Sequence, residues 1–433
     1  MRYSLIKGSK KIINAWVLYD WANSVYPLVI TTAIFPIYYE SITSTDESDI
    51  VSLFGREYVN TALYSYTIAL SYLIIAFLSP ILSGIADYSG KKKSFMQFFC
   101  YLGAISCITL YTFSLDYFAL GLLFVMLASI GYSGSIVFYN AFLPEIAEPE
   151  QHDTISAKGY AFGYFGSSLL LIFNLSMVMF PEFYGLEDGS MPAKISFLTV
   201  GLWWIVFSQI TFKRLPDNIH GRKPDKDVIL KGFRELKKVW NELKGQVRLK
   251  RYLLSFFIFN MGVQTIMLMA TIFGSKELGV PTEGLIAAIL IIQFVAIIGA
   301  YLFSFLSRKL GNINGLAIAI LIWIGVCAGA YFVYEPSGFY VLAGFAGLVM
   351  GGIQSLSRST YSKMLPKTID PASYFSFYDV CEKIGIVIGM LTYGYIEEVT
   401  GSMRNSIFAL MGFFILGLIV LMTIPKKRGT ADQ

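Results

Sequence analysis

Twelve separate runs of mainly apolar residues, each long enough to cross a bilayer, constrain this chain more than any other feature. An α-helix rises 1.5 Å per residue, so about 20 residues traverse a hydrocarbon layer of roughly 30 Å. Such runs fall near 12–40, 60–84, 94–114, 117–142, 156–180 and 194–212, then 251–274, 283–306, 312–333, 338–361, 372–396 and 404–425. The 433 residues are 55% hydrophobic and only 15% charged, more apolar surface than one water-facing core can hide, so the solvent is lipid. The expected fold class is an all-α integral membrane protein of twelve transmembrane helices. Its divisions are a six-helix bundle at 1–212, a linker at 213–250 and a second six-helix bundle at 251–433. The first run holds Asp20 and Asn23 and lacks a small-residue cleavage site, so it is expected to remain as a span and not to be removed as a signal peptide.

Orientation follows from the positive residues, which resist translocation. With both termini on one side, that side collects 29 of the 34 lysines and arginines. Both termini are therefore expected in the cytoplasm, with the spans in an inner (cytoplasmic) membrane. The net charge of +5 reflects this topology, and no nucleic-acid partner is expected. Cys100, Cys107, Cys327 and Cys381 all lie in apolar runs without metal-ligand spacing and read as small hydrophobes, so neither a disulfide framework nor a metal site is expected.

Hydropathy breaks most sharply at RLPDNIHGRKPDKD, between the two six-span blocks. Beyond it Ile229, Phe233, Leu236, Trp240, Leu243 and Val247 recur at three- and four-residue steps among charges. That pattern fits an amphipathic helix lying on the anionic inner leaflet, or a charged linker packed only on its own protein.

Between spans 2 and 3 the chain reads GIADYSGKKKS, with Gly84, Asp87 and Gly90 ahead of three lysines. The glycines allow a tight turn, and the acid between them can cap or pair with a neighbouring helix end. In a twelve-span chain this resembles the loop signature of the major facilitator superfamily. A degraded second copy, SRKLGN, follows span 8, with Arg308 where the acid would be. Only the first copy is expected to latch. Three further stretches narrow the resemblance: AWVLYDWANSVYPLVITTAIFPIYY, LPEIAEPEQHDTISAKGYAFGYFGSSL, and GGIQSLSRSTYSKMLP with YFSFYDVCEKIG. Together they are similar to the vacuolar effluxer family linked to autophagy and its bacterial relatives. The resemblance implies two pseudo-symmetric six-helix bundles of the major facilitator fold, and, for the fungal members, export of amino acids.

An ionisable side chain in hydrocarbon is costly unless it faces a cavity or a partner, so each is a candidate for function. Asp20 lies deep in span 1, with Asn23, Ser24 and Pro27 following at helical spacing. By the resemblance this face lines a central cavity, where Asp20 binds substrate or a proton or else makes a structural hydrogen bond. Span 11 carries Asp379, Glu382 and Lys383. The i to i+4 pair Asp379 and Lys383 largely cancels, which leaves Glu382 over as a proton carrier or part of a gate. Arg358, near the basic end of span 10, matches Asp379 in depth; an inner-gate pair with it is expected, against snorkelling to lipid phosphate. Asn260 and Gln264 on span 7, Tyr139 and Asn140 on span 4, and Tyr160 and Tyr164 on span 5 are further contacts for a polar solute. Gly159 and Gly163, Gly347 and Gly351, and Gly385 and Gly389 have the small-xxx-small spacing that lets helices approach closely.

His152 and His220 both fall in predicted loops, so an intramembrane proton relay has to use carboxylates. Without a phosphate-cradling GxxxxGK[ST] loop, nucleotide hydrolysis is not expected to drive this chain. The reading is a secondary transporter, not an enzyme, with no cofactor. It is expected to act as a monomer on a small polar solute, an amino acid or short peptide, by alternating access with possible proton coupling. Membrane lipids are its surroundings. The alternatives are a lipid or amphiphile carrier, and a transporter-like receptor or assembly protein without flux.

Overall fold

The computed structural model describes residues 7–44, 48–186, 189–217, 228–368 and 370–425. His220 and the surrounding linker residues lie outside them. Each expected run is helical. Span 1 runs through Lys10–Asn23, Tyr26–Ile34 and Phe35–Thr43, followed by span 2 (Asn60–Ser89), span 3 (Lys92–Thr109), span 4 (Phe118–Ala141), span 5 (His152–Met179) and span 6 (Met191–Phe212). The second half holds span 7 (Val247–Leu278), span 8 (Thr282–Leu310), span 9 (Asn312–Phe332), span 10 (Pro336–Met364), span 11 (Pro371–Thr400) and span 12 (Met403–Met422). Eleven of these are both long and apolar enough to cross a membrane. Span 11 has the length, at 30 residues, but its buried charges lower its hydropathy.

The packing between the halves repeats. Span 2 lies against span 11 and span 8 against span 5; span 4 meets span 11 and span 10 meets span 5. If span n corresponds to span n+6, each contact is the image of the other, the mark of a two-fold relation between bundles. Within the halves the spaced glycines bring backbones together. A methyl group on Gly347 would stand 2.6 Å from the Ile292 carbonyl of span 8, and one on Gly389 2.8 Å from that of Met261 on span 7. Gly385 has more room, with nothing nearer than 3.5 Å.

Span 1 is not a uniform helix. Pro27 lacks the N–H that would bond back to Asn23, and from Tyr26 to Ile34 the backbone takes the wider π-helical turn. Thr32 Oγ1 donates to the Pro27 carbonyl at 2.9 Å. Between spans 1 and 2 a small antiparallel hairpin, β1 (Ile50–Leu53) and β2 (Arg56–Val59), turns on Phe54 and Gly55, both at positive φ. Hydropathy gave no sign of it.

Two expectations about the connections change. Gly84 sits inside span 2, not in a turn; a side chain there would strike the carbonyl of Gly232 on the linker helix. Gly90 alone makes the turn, with φ of 70°. His152 is the first residue of span 5, buried, with Nε2 3.2 Å from the Ala147 carbonyl.

The linker helix, Val228–Gly245, packs on span 2 and reaches span 11. Val239 and Leu243 are buried against the protein, whereas Phe233 and Trp240 are half exposed. The side chain of Ile229 lies outside those described. The helix therefore docks on its own protein and still leaves an apolar stripe uncovered.

Candidate functional site

A cavity of about 250 Å³ lies between the halves, lined by spans 1, 2, 4, 5, 7, 8, 10 and 11. Spans 3, 6, 9 and 12 take no part in its wall. From span 1 come Asp20, Ser24, Pro27 and Thr31, a stripe at helical spacing. Asn23 is buried off that stripe and does not line the cavity, since three residues turn a helix about 60° short of a full circle.

Asp20 and Arg358 form a buried ion pair across the halves, with Nη2 to Oδ2 at 3.1 Å. The expected partner of Arg358 was Asp379, at matching depth. Depth is insufficient here: Arg358 faces span 1, and Asp379 faces span 2 and its own Lys383. Nothing about the guanidinium is left bare. Its Nε donates to Ser156 Oγ at 2.9 Å and Nη2 to the Ser156 carbonyl at 2.9 Å, while Nη1 lies 3.5 Å from Asn140 Oδ1. The rings of Tyr160, Trp16 and Tyr139 stand 4.2, 4.9 and 5.5 Å from its centre, within cation–π range. On the acid side, the Tyr139 hydroxyl donates to Asp20 Oδ2 at 2.8 Å. Tyr139 therefore serves Asp20 and does not line the cavity. Gly159 makes the room, since a methyl group there would crowd Asp20 and stand 2.8 Å from Arg358 Nη2.

Span 11 contributes a second charged group. Lys383 Nζ lies 3.4 Å from Asp379 Oδ1 and 3.2 Å from Glu382 Oε1. Ser79 of span 2 reaches Asp379 Oδ2 at 3.4 Å. Glu382 and Lys383 line the cavity, and the Glu382 side chain is a quarter exposed. Two acids share one base here, and Lys383 stands nearer Glu382 than Asp379, so Glu382 is not left over by an exclusive Asp379–Lys383 pair.

The remaining wall is aromatic and amide-rich. Tyr26, Tyr72, Tyr132, Tyr160, Tyr164, Phe256, Phe259 and Tyr378 supply rings. Gln264 Nε2 reaches Asn260 Oδ1 at 3.5 Å, and Tyr164 donates to Gln354 Oε1 at 2.6 Å. Asn260 Nδ2 and Gln293 Oε1 are buried without a protein partner among the described residues. Gln293, Gln354 and Ser156 were not foreseen. Gln293 had a signal, as the one polar side chain in the run IIQFVAII of span 8.

Two further acids join the halves at the basic end. Asp87 accepts from the backbone N–H of Ala372 at 3.2 Å and of Ser373 at 2.6 Å, capping the positive start of span 11. Lys92 stands 3.9 Å from Asp87 and also bonds Glu145. The second, acid-less loop copy is completed from the opposite half. Asp153 of span 5 accepts from Ser307 at 2.7 Å, Asn312 at 2.8 Å and Lys363 at 2.5 Å. Both copies thus tie the halves, where only the first was expected to.

Among the described residues no cluster of histidine, cysteine and carboxylates suits a metal ion, and the four cysteines are unpaired. Twelve helices in two related bundles around a polar central cavity define a major facilitator transporter. Solved structures share this fold. The outward-facing transporter FucP matches with a TM-score of 0.70 at 13% identity, covering 96% of this chain and 98% of that one. The human organic anion transporter MFSD10 matches with a TM-score of 0.70 at 10% identity over 96% and 99%.

Residues 8–433 match the family described as vacuole effluxer Atg22 like, and the chain belongs to it. The MFS-type transporter YxiO of Bacillus subtilis is 32% identical over 427 residues, covering 98% of this chain and 97% of the relative. Autophagy-related protein 22 of Eremothecium gossypii is 24% identical over 99% and 93%.

Proposed function

We propose that this transporter carries a small zwitterionic solute, an amino acid or short peptide with an apolar side chain, by alternating access. The observation that carries the reading is the buried Asp20–Arg358 pair, which joins the two halves and also lines the cavity. A solute with an ammonium and a carboxylate offers each member a substitute partner, so its binding competes with the bond that holds the halves together. Differential affinity for the two states is what a ligand needs to shift them. Asp20, Asp379 and Glu382 outnumber Arg358 and Lys383 by one charge, which favours an ammonium group or a proton. Eight rings along the wall suit an apolar side chain, and Asn260, Gln264 and Gln293 suit its polar backbone.

In this reading Glu382 carries the coupled proton, and Asp20, Arg358, Asp87 and Asp153 act in the inner gate. The basic end faces the cytoplasm of a bacterial inner membrane, with both termini inside, and the protein works as a monomer. Proteoliposomes loaded with amino acids and short peptides test it. Efflux is expected, accelerated by a pH gradient, and Glu382→Gln is expected to lose the acceleration while keeping exchange. No flux of any such solute under either gradient direction would retire this substrate class, and normal driven transport in Glu382→Gln would retire coupling at that residue.

A further inference from the structure

The uncovered stripe of the linker helix has a composition and a depth of its own. Phe233 and Trp240 are each 47% exposed, as is Val247 at the start of span 7. Seven residues bring a helix back to within about 20° of its starting direction, so the first two share one side, and the fixed spacing carries on to Val247. Four residues advance it about 40°, which sets the exposed Lys237 and Lys244 along one edge of that stripe. Buried Val239 and Leu243 lie off the other edge, against the protein. The acids Glu235 and Glu242 sit nearly opposite, about 200° from Phe233 and Trp240 respectively. Glu242 accepts there from the Tyr374 hydroxyl at 2.9 Å.

The stripe also lies level with the first turns of span 11. The Trp240 ring packs 5.5 Å from that of Phe377, six residues and so about 9 Å along span 11 from its first residue. Lys244 Nζ stands 5.6 Å from the Trp240 ring, on the same side. Meanwhile Lys238 bonds Asp370 at 3.1 Å, which fixes the helix to the start of span 11.

We propose that this face is a binding surface for anionic phospholipid, with Phe233, Trp240 and Val247 in the acyl boundary and Lys237 and Lys244 on the headgroup phosphates. A basic edge beside an apolar stripe at interfacial depth complements an anionic leaflet, and each lysine near such a surface is worth about 1 kcal/mol. In the cell this rests on the cytoplasmic placement of the basic end proposed above. The test does not, because it uses the same lipid on both faces and no transport.

The whole chain, one copy per nanodisc, is prepared in phosphatidylcholine containing a minor share of brominated phosphatidylglycerol or, separately, brominated phosphatidylcholine. Trp240 emission is isolated by subtracting the Trp240→Phe variant. Bromine quenching of Trp240 is expected with both lipids, and more efficiently with the anionic one, which two lysines enrich locally by about thirtyfold. Replacing the exposed pair, Lys237→Gln with Lys244→Gln, is expected to bring that ratio to one. If Trp240→Phe disturbs the fold, Phe233→Trp in the otherwise unchanged chain, read as the difference from the parent, is the second reporter. An unquenched Trp240, as a water-facing or protein-covered stripe would give, overturns the proposal. So does equal quenching by both lipids, or a preference that survives loss of both lysines.

Discussion

At Asp20 and Arg358 the balance between desolvation and pairing decides stability. Removing one member of a buried pair strands the other charge, at a cost of about 3–5 kcal/mol, whereas removing both is often close to neutral. Asp20→Asn is therefore expected to lower the thermal midpoint in detergent sharply, and Asp20→Asn with Arg358→Gln to recover most of it. Scanning fluorimetry of the three proteins checks this, and a double variant no better than the single one contradicts the pairing. Asp20 itself was legible in the sequence, as a lone acid in hydrocarbon. Its partner was not, because contact between residues 20 and 358 is a product of how two bundles dock. Depth along a span could equally have matched Arg358 with Asp379.

Among the elements, the spans were readable because length and hydropathy act locally, and the departures from them were not. The hairpin at 50–59 is too short and too mixed for either signal. Gly84 looked like a turn residue because it shares a motif with Gly90, but its lack of a side chain serves the linker helix packed across it. Pro27 marks a missing backbone donor in span 1, though sequence does not say that the result is a π-turn running to Ile34. That turn aims Thr31 and Thr32 at the cavity. Pro27→Ala restores a backbone donor, and a proline inside a helix costs about 3 kcal/mol relative to alanine. The variant is expected to melt higher than the parent and to transport more slowly, as the regular helix turns those threonines aside. Paired melting and flux measurements check it; unchanged flux would detach the π-turn from the site.

For the whole molecule, the bonds between halves gather at the basic end and at the cavity floor. Asp87 clamps span 11, Asp153 clamps spans 8, 9 and 10, and Asp20 holds span 10 beneath the cavity. The two outer clamps occupy equivalent places at the crossings of span 2 with 11 and span 8 with 5, so rocking the halves apart must break both. A hydrogen bond to a charged group contributes about 1.5–3 kcal/mol. Losing roughly 2 kcal/mol from either clamp multiplies the open population by about 30, since 1.4 kcal/mol is a factor of ten. Shifting a pair of states from 1:99 to 99:1 takes about 5.5 kcal/mol, so neither clamp alone inverts a strongly closed equilibrium and the two together nearly do. Spin labels at Glu150→Cys and Lys309→Cys, exposed positions on opposite halves at this end, report the separation. Asp153→Asn is expected to add a minor longer distance, Asp87→Asn a similar one, and the combination to make it a major population. A long-distance component already complete in Asp153→Asn would mean that the first loop copy holds nothing, and one seen only in Asp87→Asn would return the latch to that copy alone.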